Sequence, residues 1–211
     1  MLKQNTLSKE EWANVYSHGV AVPFCLLGSF LLLSQCNLQV TNAVYYGAFT
    51  FCFSLTAAYL ISTLYHYQSD PRKKHIFRIM DHIAIYYLIV GTHTPFLLLY
   101  LPTTYGMSIL ATLWICVFFG TIFKIFFVGR FEKFSIALYL VMGWSGVLTL
   151  PYIWEELSVG ALLGICIGGL FYTTGAYFYT RNDMRYNHAI WHLFVIAGST
   201  GHFWALWLCL H

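Results

Sequence analysis

The chain has 211 residues, of which 59% are hydrophobic and only 9% are charged, and its mean hydropathy is +0.65. This composition excludes an ordinary soluble domain, in which about a quarter of the residues are charged. The formal net charge of +3 is small, and no basic patch interleaved with aromatic residues indicates a nucleic-acid partner. We therefore predict an all-α, polytopic membrane protein.

Seven apolar segments are each long enough to cross a bilayer, which takes about 20 residues in a helix. The first segment is too long, and begins with too little positive charge, for a cleaved signal peptide. We therefore expect one seven-helix transmembrane domain over residues 1–211. Its predicted spans are residues 15–36, 42–66, 79–100, 106–128, 134–152, 157–179 and 188–210.

The basic residues fall in alternate connections between the predicted spans. The loops at Gln35–Val40, Leu101–Tyr105 and Trp154–Glu156 carry none. Because loops rich in Lys and Arg stay in the cytoplasm, we predict a cytoplasmic amino terminus and a carboxyl terminus outside. The basic residues are Lys3, Lys9, Arg72, Lys73, Lys74, Arg78, Lys124, Arg130, Lys133, Arg181 and Arg185.

Small residues within the spans are expected to serve packing. The six cysteines form no CxxC pair, so we expect apolar fillers and not a disulfide framework. Glycines in span six are expected to let neighbouring helices approach closely. These glycines are Gly164, Gly168, Gly169 and Gly175.

Two histidines, His188 and His192, lie four residues apart at the start of the last span. On a helix this spacing stacks both imidazoles on one face, one turn apart. Such a pair can bind one transition metal ion if a third ligand arrives from elsewhere. In a soluble helix the same short pattern more often marks ordinary surface or core histidines. Within a membrane span, ionisable residues are costly and indicate function.

Three further polar residues share the depth of this pair. In the predicted topology, span two ends at the cytoplasmic face with Ser62 and His66, one turn apart on the same helix face, and span three begins there with Asp81. One helical turn rises about 5.4 Å. All five side chains can therefore lie within about two turns of depth.

Glu11, Asn14 and His18 recur at helical spacing on one face of span one, near the same side. They are expected either to line the entrance to this polar layer or to cap and hydrogen-bond the bundle. The residue pattern leaves both interpretations open.

Three other polar residues are not expected to bind a metal. His82 points about 100° away from Asp81 around its helix and is predicted to pack at the interface. His202 lies ten residues after His192 and off its face. Lys124, near the end of span four, is expected to extend to the cytoplasmic surface.

Four motifs together resemble the hemolysin III family. They are EEWANVYSHG at 10–19, STLYH at 62–66, DHIAIY at 81–86 running into GTHTPF at 91–96, and HAIWH at 188–192. This family belongs with the progestin and adipoQ receptors and more distantly resembles the alkaline ceramidases. The resemblance covers nearly the whole chain and implies a seven-helix bundle with a zinc ion near the cytoplasmic face.

The resemblance also implies roles for individual residues. It assigns the zinc ligands to His66, His188 and His192, and it gives Asp81 and Ser62 the task of holding or activating the zinc-bound water. One position departs from the family pattern, which commonly has tyrosine where this chain has His93. That residue lies some three turns from Asp81 and is not expected to disturb the metal.

A zinc site of this kind suits hydrolysis. Three neutral imidazoles leave the metal its full charge and one open position, and such a zinc lowers the pKa of bound water to about 7. Asp81 could accept the proton of that water or orient it, and Ser62 could hydrogen-bond the water or a developing oxyanion. We therefore predict a zinc-dependent hydrolase of lipid amides or esters, in a bacterial plasma (inner) membrane.

Two functions other than the hydrolase remain open. A structural zinc could join spans two and seven, with Asp81 as an orienting residue, in a receptor or regulator of membrane lipid homeostasis. A pore-forming activity, after the family name, is least supported. A pore needs a polar stripe through the full membrane depth, and the polar residues cluster near one face.

Overall fold

The computed structural model describes residues 7–36 and 41–210, and within these ranges the chain consists of helices and short connections. The all-α prediction is confirmed. Lys3 and most of the Gln35–Val40 loop, which contribute to the topology prediction, lie outside the described residues. The helices are α1 (Lys9–Cys36), α2 (Asn42–Tyr67), α3 (Pro71–Tyr100), α4 (Thr104–Phe127), α5 (Glu132–Trp144), α6 (Leu150–Ile153), α7 (Val159–Tyr179) and α8 (Asn187–Cys209).

Six helical segments of the described chain are long and apolar enough to cross a membrane: α1 to α4, the unit from α5 to α6, and α7. They coincide with six of the seven predicted spans, and the protein is a multi-pass membrane protein. α8 has 23 residues, which is the length of a span. It carries three histidines and is not one of these six segments.

Helix α3 begins eight residues before the predicted span at 79–100. Asp70 caps it, because its side-chain oxygen accepts hydrogen bonds from the backbone N–H groups of Arg72 and Lys73 at 3.0 and 2.9 Å. Pro71 follows in the first turn, where its missing N–H costs nothing. The extra turns carry basic residues and extend the helix beyond its apolar part.

The fifth predicted span, 134–152, is not one continuous helix. α5 ends at Trp144, and a 3₁₀ turn at Ser145–Leu148 leads to the four-residue α6. Glycine weakens a helix and proline cannot donate a backbone hydrogen bond, and this segment contains Gly143, Gly146 and Pro151. The apolar pattern predicted the span correctly but not this interruption.

The helices form a ring around a central cavity. α1, α2, α3, α5, α7 and α8 each contact the next and close the ring from α8 to α1, while α4 packs on α3. The contacts of α5 with α3 and α7 are the sparsest in this ring. This cavity measures about 230 Å³ and is lined by side chains from all six ring helices.

Glycines bring the backbones of α7 and α8 into direct contact. A Cβ atom placed on Gly201 would lie 2.8 Å from the carbonyl oxygen of Gly164 and 3.1 Å from the Cα of Gly168. The close-packing prediction is thus confirmed for Gly164 and Gly168. It is also confirmed for Gly175, where a Cβ would lie 2.7 Å from Phe194. This contact fixes the position of α8 and therefore of His188 and His192.

Lys124 does not extend to the surface, so that prediction is wrong. Its side chain is fully buried, with its Nζ 3.4 Å from Oε2 of Glu132. The same carboxylate lies 3.8 Å from Nη2 of Arg78 and 3.8 Å from Nδ1 of His82. His82 is also buried. An unpaired buried charge is very costly, so the pairing with Glu132 explains why Lys124 stays inside.

We expect Gly201→Ala to lower the stability of the protein by about 1–3 kcal/mol, the usual cost of overpacking. The added methyl group meets backbone atoms of α7, which cannot rotate away. Gly143→Ala is the matched control, because nothing lies within 4 Å of its Cβ position. Thermal unfolding in one lipid or detergent system measures both. Equal melting temperatures for the two variants would contradict the close contact between α7 and α8.

Candidate metal centre

The side chains singled out in the sequence meet at one end of the ring, where α2 ends and α3 and α8 begin. We call it the basic end, since the basic loops lie there. His66 lies in the last turn of α2, and His188 and His192 lie in the first turns of α8. Each of the three offers one ring nitrogen, and these atoms all lie within 4.8 Å of one another. The three histidines therefore form a group that could hold a metal ion.

The turn before α8 places His188 directly at the start of that helix. Tyr186 adopts a left-handed backbone conformation with φ of 59°, which is uncommon for a residue with a side chain. Arg181 pairs with Asp183 at 2.7 Å within the turn. Asn187 donates a long hydrogen bond of 3.4 Å to the carbonyl of Tyr179. These contacts anchor the turn between α7 and the histidine pair.

His66 is oriented by a carboxylate from α1. Its Nδ1 lies 2.7 Å from Oε2 of Glu11, whose other oxygen pairs with Lys74. Asn14 lies close as well, with its Nδ2 3.4 Å from the same ring nitrogen. A carboxylate can only accept, so the Nδ1 of His66 carries the proton and its Nε2 is left with a free lone pair.

His192 is oriented in the same way by a hydroxyl from α1. Ser17 donates its only proton to the carbonyl of Asn14 at 2.9 Å, so its oxygen accepts from Nδ1 of His192 at 2.8 Å. The Nε2 of His192 is then unprotonated. It lies 3.4 Å from the hydroxyl oxygen of Ser62.

The donor set fits a zinc-type ion. The Nε2 atoms of His66 and His188 are buried without a hydrogen-bond partner, which is costly unless something satisfies them. Metal-binding histidines usually donate their second ring N–H to a nearby oxygen, as His66 and His192 do here. Zinc–nitrogen bonds measure about 2.0–2.1 Å, so the three nitrogens need to draw together by on the order of 1 Å to share one ion.

Asp81 and Ser62 lie beside the histidine group without belonging to it. Ser62 is buried one turn before His66. The Asp81 carboxyl is adjacent to the Ser62 hydroxyl and within electrostatic reach of His66. Both residues line the central cavity. The predicted polar layer is therefore assembled, with a carboxyl and a hydroxyl next to three imidazoles.

The face of α1 at Glu11, Asn14 and His18 serves this centre directly. Glu11 accepts a hydrogen bond from His66, so the hydrogen-bonding interpretation describes it, and the Asn14 side chain lies against the same ring. The His18 ring stacks on His192 with centroids 3.8 Å apart, and it lines the cavity. Sequence reasoning missed Ser17, although it lies three residues after Asn14 and so on the same side of the helix.

The histidines excluded from the predicted ligand set lie outside the cluster. His82 lies 3.8 Å from Glu132. His93 and His202 line the cavity further along α3 and α8. The expectation that polar residues cluster near one face is therefore incomplete.

Comparison with known proteins shows a match along most of the chain. Residues 7–203 match the family described as Haemolysin-III related. "Hemolysin-3" of Bacillus cereus is 37% identical, over 94% of this chain and 91% of that protein. "Hemolysin-3 homolog" of Bacillus subtilis (strain 168) is 39% identical, over 94% and 93%. The human "Monocyte to macrophage differentiation factor" is 28% identical, over 96% and 85%. No solved structure matches the chain.

We expect His66→Ala or His188→Ala to abolish stable metal binding, because each removes one of three ligands. Glu11→Gln should weaken binding about 10- to 100-fold, the usual effect of losing a partner that orients a ligand. His82→Ala is the control and should keep the affinity of the unmodified protein. Zinc content after dialysis against graded chelator measures all four. Loss of metal from the His82 variant with retention in the His66 variant would show that the ligand set is wrong.

Proposed function

The chain belongs to the haemolysin-III related family, and from that premise we propose that it is a zinc-dependent hydrolase of membrane-lipid amides or esters. The observation that carries the proposal is the juxtaposition of three convergent imidazoles with a carboxyl and a hydroxyl at the head of a mostly apolar cavity. The ligands are His66, His188 and His192, and the reacting groups are Asp81 and Ser62.

The proposed topology has seven spans in a single domain over residues 1–211, with the basic end in the cytoplasm and the carboxyl terminus outside. The alternation of basic loops supports this orientation, and the 23-residue length of α8 supports the seventh span. The similarity to two Bacillus proteins supports a place in a bacterial plasma (inner) membrane. The metal centre then faces the cytoplasmic leaflet.

Zinc bound to three neutral imidazoles would supply a water whose pKa is about 7 and a Lewis acid for a carbonyl oxygen. The chain's own residues supply the rest. Asp81 is placed to take a proton from the attacking water, because its carboxyl lies next to Ser62 and near His66. Ser62 is placed to donate a hydrogen bond to the oxyanion of the tetrahedral intermediate.

The cavity indicates the class of substrate. It is lined largely by apolar side chains, among them Ile85, Leu88, Ile89, Ile136 and Val195. An acyl chain can lie along this surface while its amide or ester carbonyl stays at the basic end. This arrangement supports a lipid substrate over a polar metabolite.

A structural metal is the second candidate, and one observation favours it. Hydrogen bonds from His66 to Glu11 and from His192 to Ser17 join α2 and α8 to α1. A metal shared by the histidines would tie α2 to α8, and these hydrogen bonds would attach α1 to the same group. The protein would then be a regulator or receptor for membrane lipids, with helix packing as its output.

Reporter fusions test the topology. Fusions after Lys74 and after Arg185 should report the cytoplasm, and a fusion after Glu156 should report the outside, because basic loops are retained inside. A cytoplasmic signal after Glu156 would overturn the proposed orientation.

Asp81→Asn separates the hydrolase from the structural metal. If Asp81 accepts or orients a proton, the substitution should reduce the rate about 100- to 10,000-fold, the range for general acid–base catalysis. Zinc content should stay unchanged, since Asp81 is not a ligand. The assay is hydrolysis of labelled ceramide-like amides and phospholipid esters by purified protein in lipid, with Ser62→Ala alongside at equal zinc occupancy. Activity that is absent across the panel, or unchanged in both variants, would favour the structural metal.

A further inference from the structure

A second polar group lines the cavity far from the metal centre. His93 on α3 and His202 on α8, which we call the distal pair, both line it. Asp81 and His93 are separated by 12 residues of α3, and His192 and His202 by 10 residues of α8. At 1.5 Å per residue the distal pair lies about 15–18 Å along the bundle from the metal centre. The cavity therefore joins two polar ends through an apolar middle.

The described chain gives the hydrogen-bond acceptor of His93 only one long contact. Its Nδ1 lies 2.9 Å from the carbonyl of Ile89, so this nitrogen carries the proton and Nε2 is the acceptor. The nearest hydroxyl to Nε2 is that of Ser145, at 3.4 Å. Ser145 donates its one proton to the carbonyl of Met142 at 2.7 Å. The Nε2 of His93 consequently has only this long contact with an oxygen whose proton points elsewhere.

His202 is also poorly satisfied. Its Nδ1 is buried with no hydrogen-bond partner among the described residues. The ring stacks on Tyr172, with centroids 5.5 Å apart. The Tyr172 hydroxyl is already engaged with Ser199 at 2.8 Å, and Ser199 also accepts from Tyr59 at 2.8 Å. The neighbouring hydroxyls thus bond one another and leave the histidine without a partner.

The interruption of the fifth span lies at the same level. A Cβ placed on Gly146, within the 3₁₀ turn Ser145–Leu148, would lie 3.4 Å from Nε2 of His93. Interrupted helices are tolerated at membrane depth where they line a cavity or are buried in protein. A mid-helix 3₁₀ stretch also often marks a functional segment. Because Gly146 has no side chain, the 3₁₀ turn leaves space next to the distal pair.

These observations carry an inference about the occupant of the cavity. A lipid with a plain hydrocarbon tail would press methylene groups against the unpartnered Nδ1 of His202 and the weakly bonded Nε2 of His93, which is costly. We propose that the distal pair binds a hydrogen-bonding group, a hydroxyl, on the far half of the acyl chain. A hydroxyl can donate to Nε2 of His93 and accept from the ring N–H of His202. The inference rests on the proposed function, because it defines the acyl class that the hydrolase accepts.

Binding of two fatty acids to the purified zinc-loaded protein tests the inference. Palmitic acid and omega-hydroxypalmitic acid differ only in the distal hydroxyl, and isothermal titration in one detergent gives both affinities. We expect the hydroxy acid to bind about tenfold more tightly, which corresponds to about 1.4 kcal/mol. His93→Phe and His202→Phe should each remove this preference. His93→Gln, which keeps a donor and an acceptor, should retain part of it.

The controls distinguish a variant that has lost the hydroxyl preference from one that has lost its fold. His75→Phe replaces an exposed histidine at the start of α3 and should keep the full preference. Thermal unfolding and zinc content identify a variant that has lost its fold. If a Phe variant is lost in this way, the affinities of the two acids for the unmodified protein and for His93→Gln test the inference. Equal affinities for the two acids, or a preference that survives both Phe variants, would overturn the inference. Binding requires no turnover, so a hydroxyl preference without hydrolysis would count against the proposed function alone.

Discussion

The hydrogen bond between Glu11 and His66 is the interaction on which the candidate metal centre depends. It fixes the proton on one ring nitrogen and leaves the other as a lone pair directed at His188 and His192. Water is not available within a bilayer to satisfy misplaced polar groups, so each imidazole must be given its orientation by the protein. Ser17 does the same for His192, with its own proton held by a backbone carbonyl. The first helix therefore contributes no predicted ligand, yet it determines which nitrogens are free.

Much of this centre could be predicted from the sequence, because the predicted topology gives the depth of each residue in the membrane from its position in the chain. Once the basic loops define one end, the end of α2, the start of α3 and the start of α8 must share a layer. Ser62, His66 and Asp81 then meet the histidine pair, as the structure shows. Depth does not give the rotation of each helix about its own axis, which determines the side chains that face one another. Ser17 was therefore missed, and Lys124 was predicted to reach the surface because its partner Glu132 lies on another helix.

The interruption of the fifth span was beyond the apolar pattern for a similar reason. Hydropathy averages over a window and does not register where a helix changes its hydrogen bonding. The pattern did contain Gly143, Gly146 and Pro151, each of which weakens a helix. Whether these residues interrupt the helix depends on whether a neighbouring helix packs against that part of the backbone. Here α5 faces the cavity instead. The sequence also does not show that His93 and His202 line one cavity, because that depends on α3 and α8 facing each other.

The glycine contact between α7 and α8 has a mechanical consequence. Backbones that touch at Gly164 and Gly201 cannot slide without breaking many close contacts at once, so the two helices move as a single rigid body. The wall of the ring formed by α5 has the fewest contacts to break, and it is already divided by a 3₁₀ turn. The bundle thus has its densest contacts where it carries His188 and His192 and its sparsest contacts around α5. The proposed function needs a lipid to reach the cavity, and α5 is the wall that such a lipid would part with the fewest contacts broken, without separating α7 from α8.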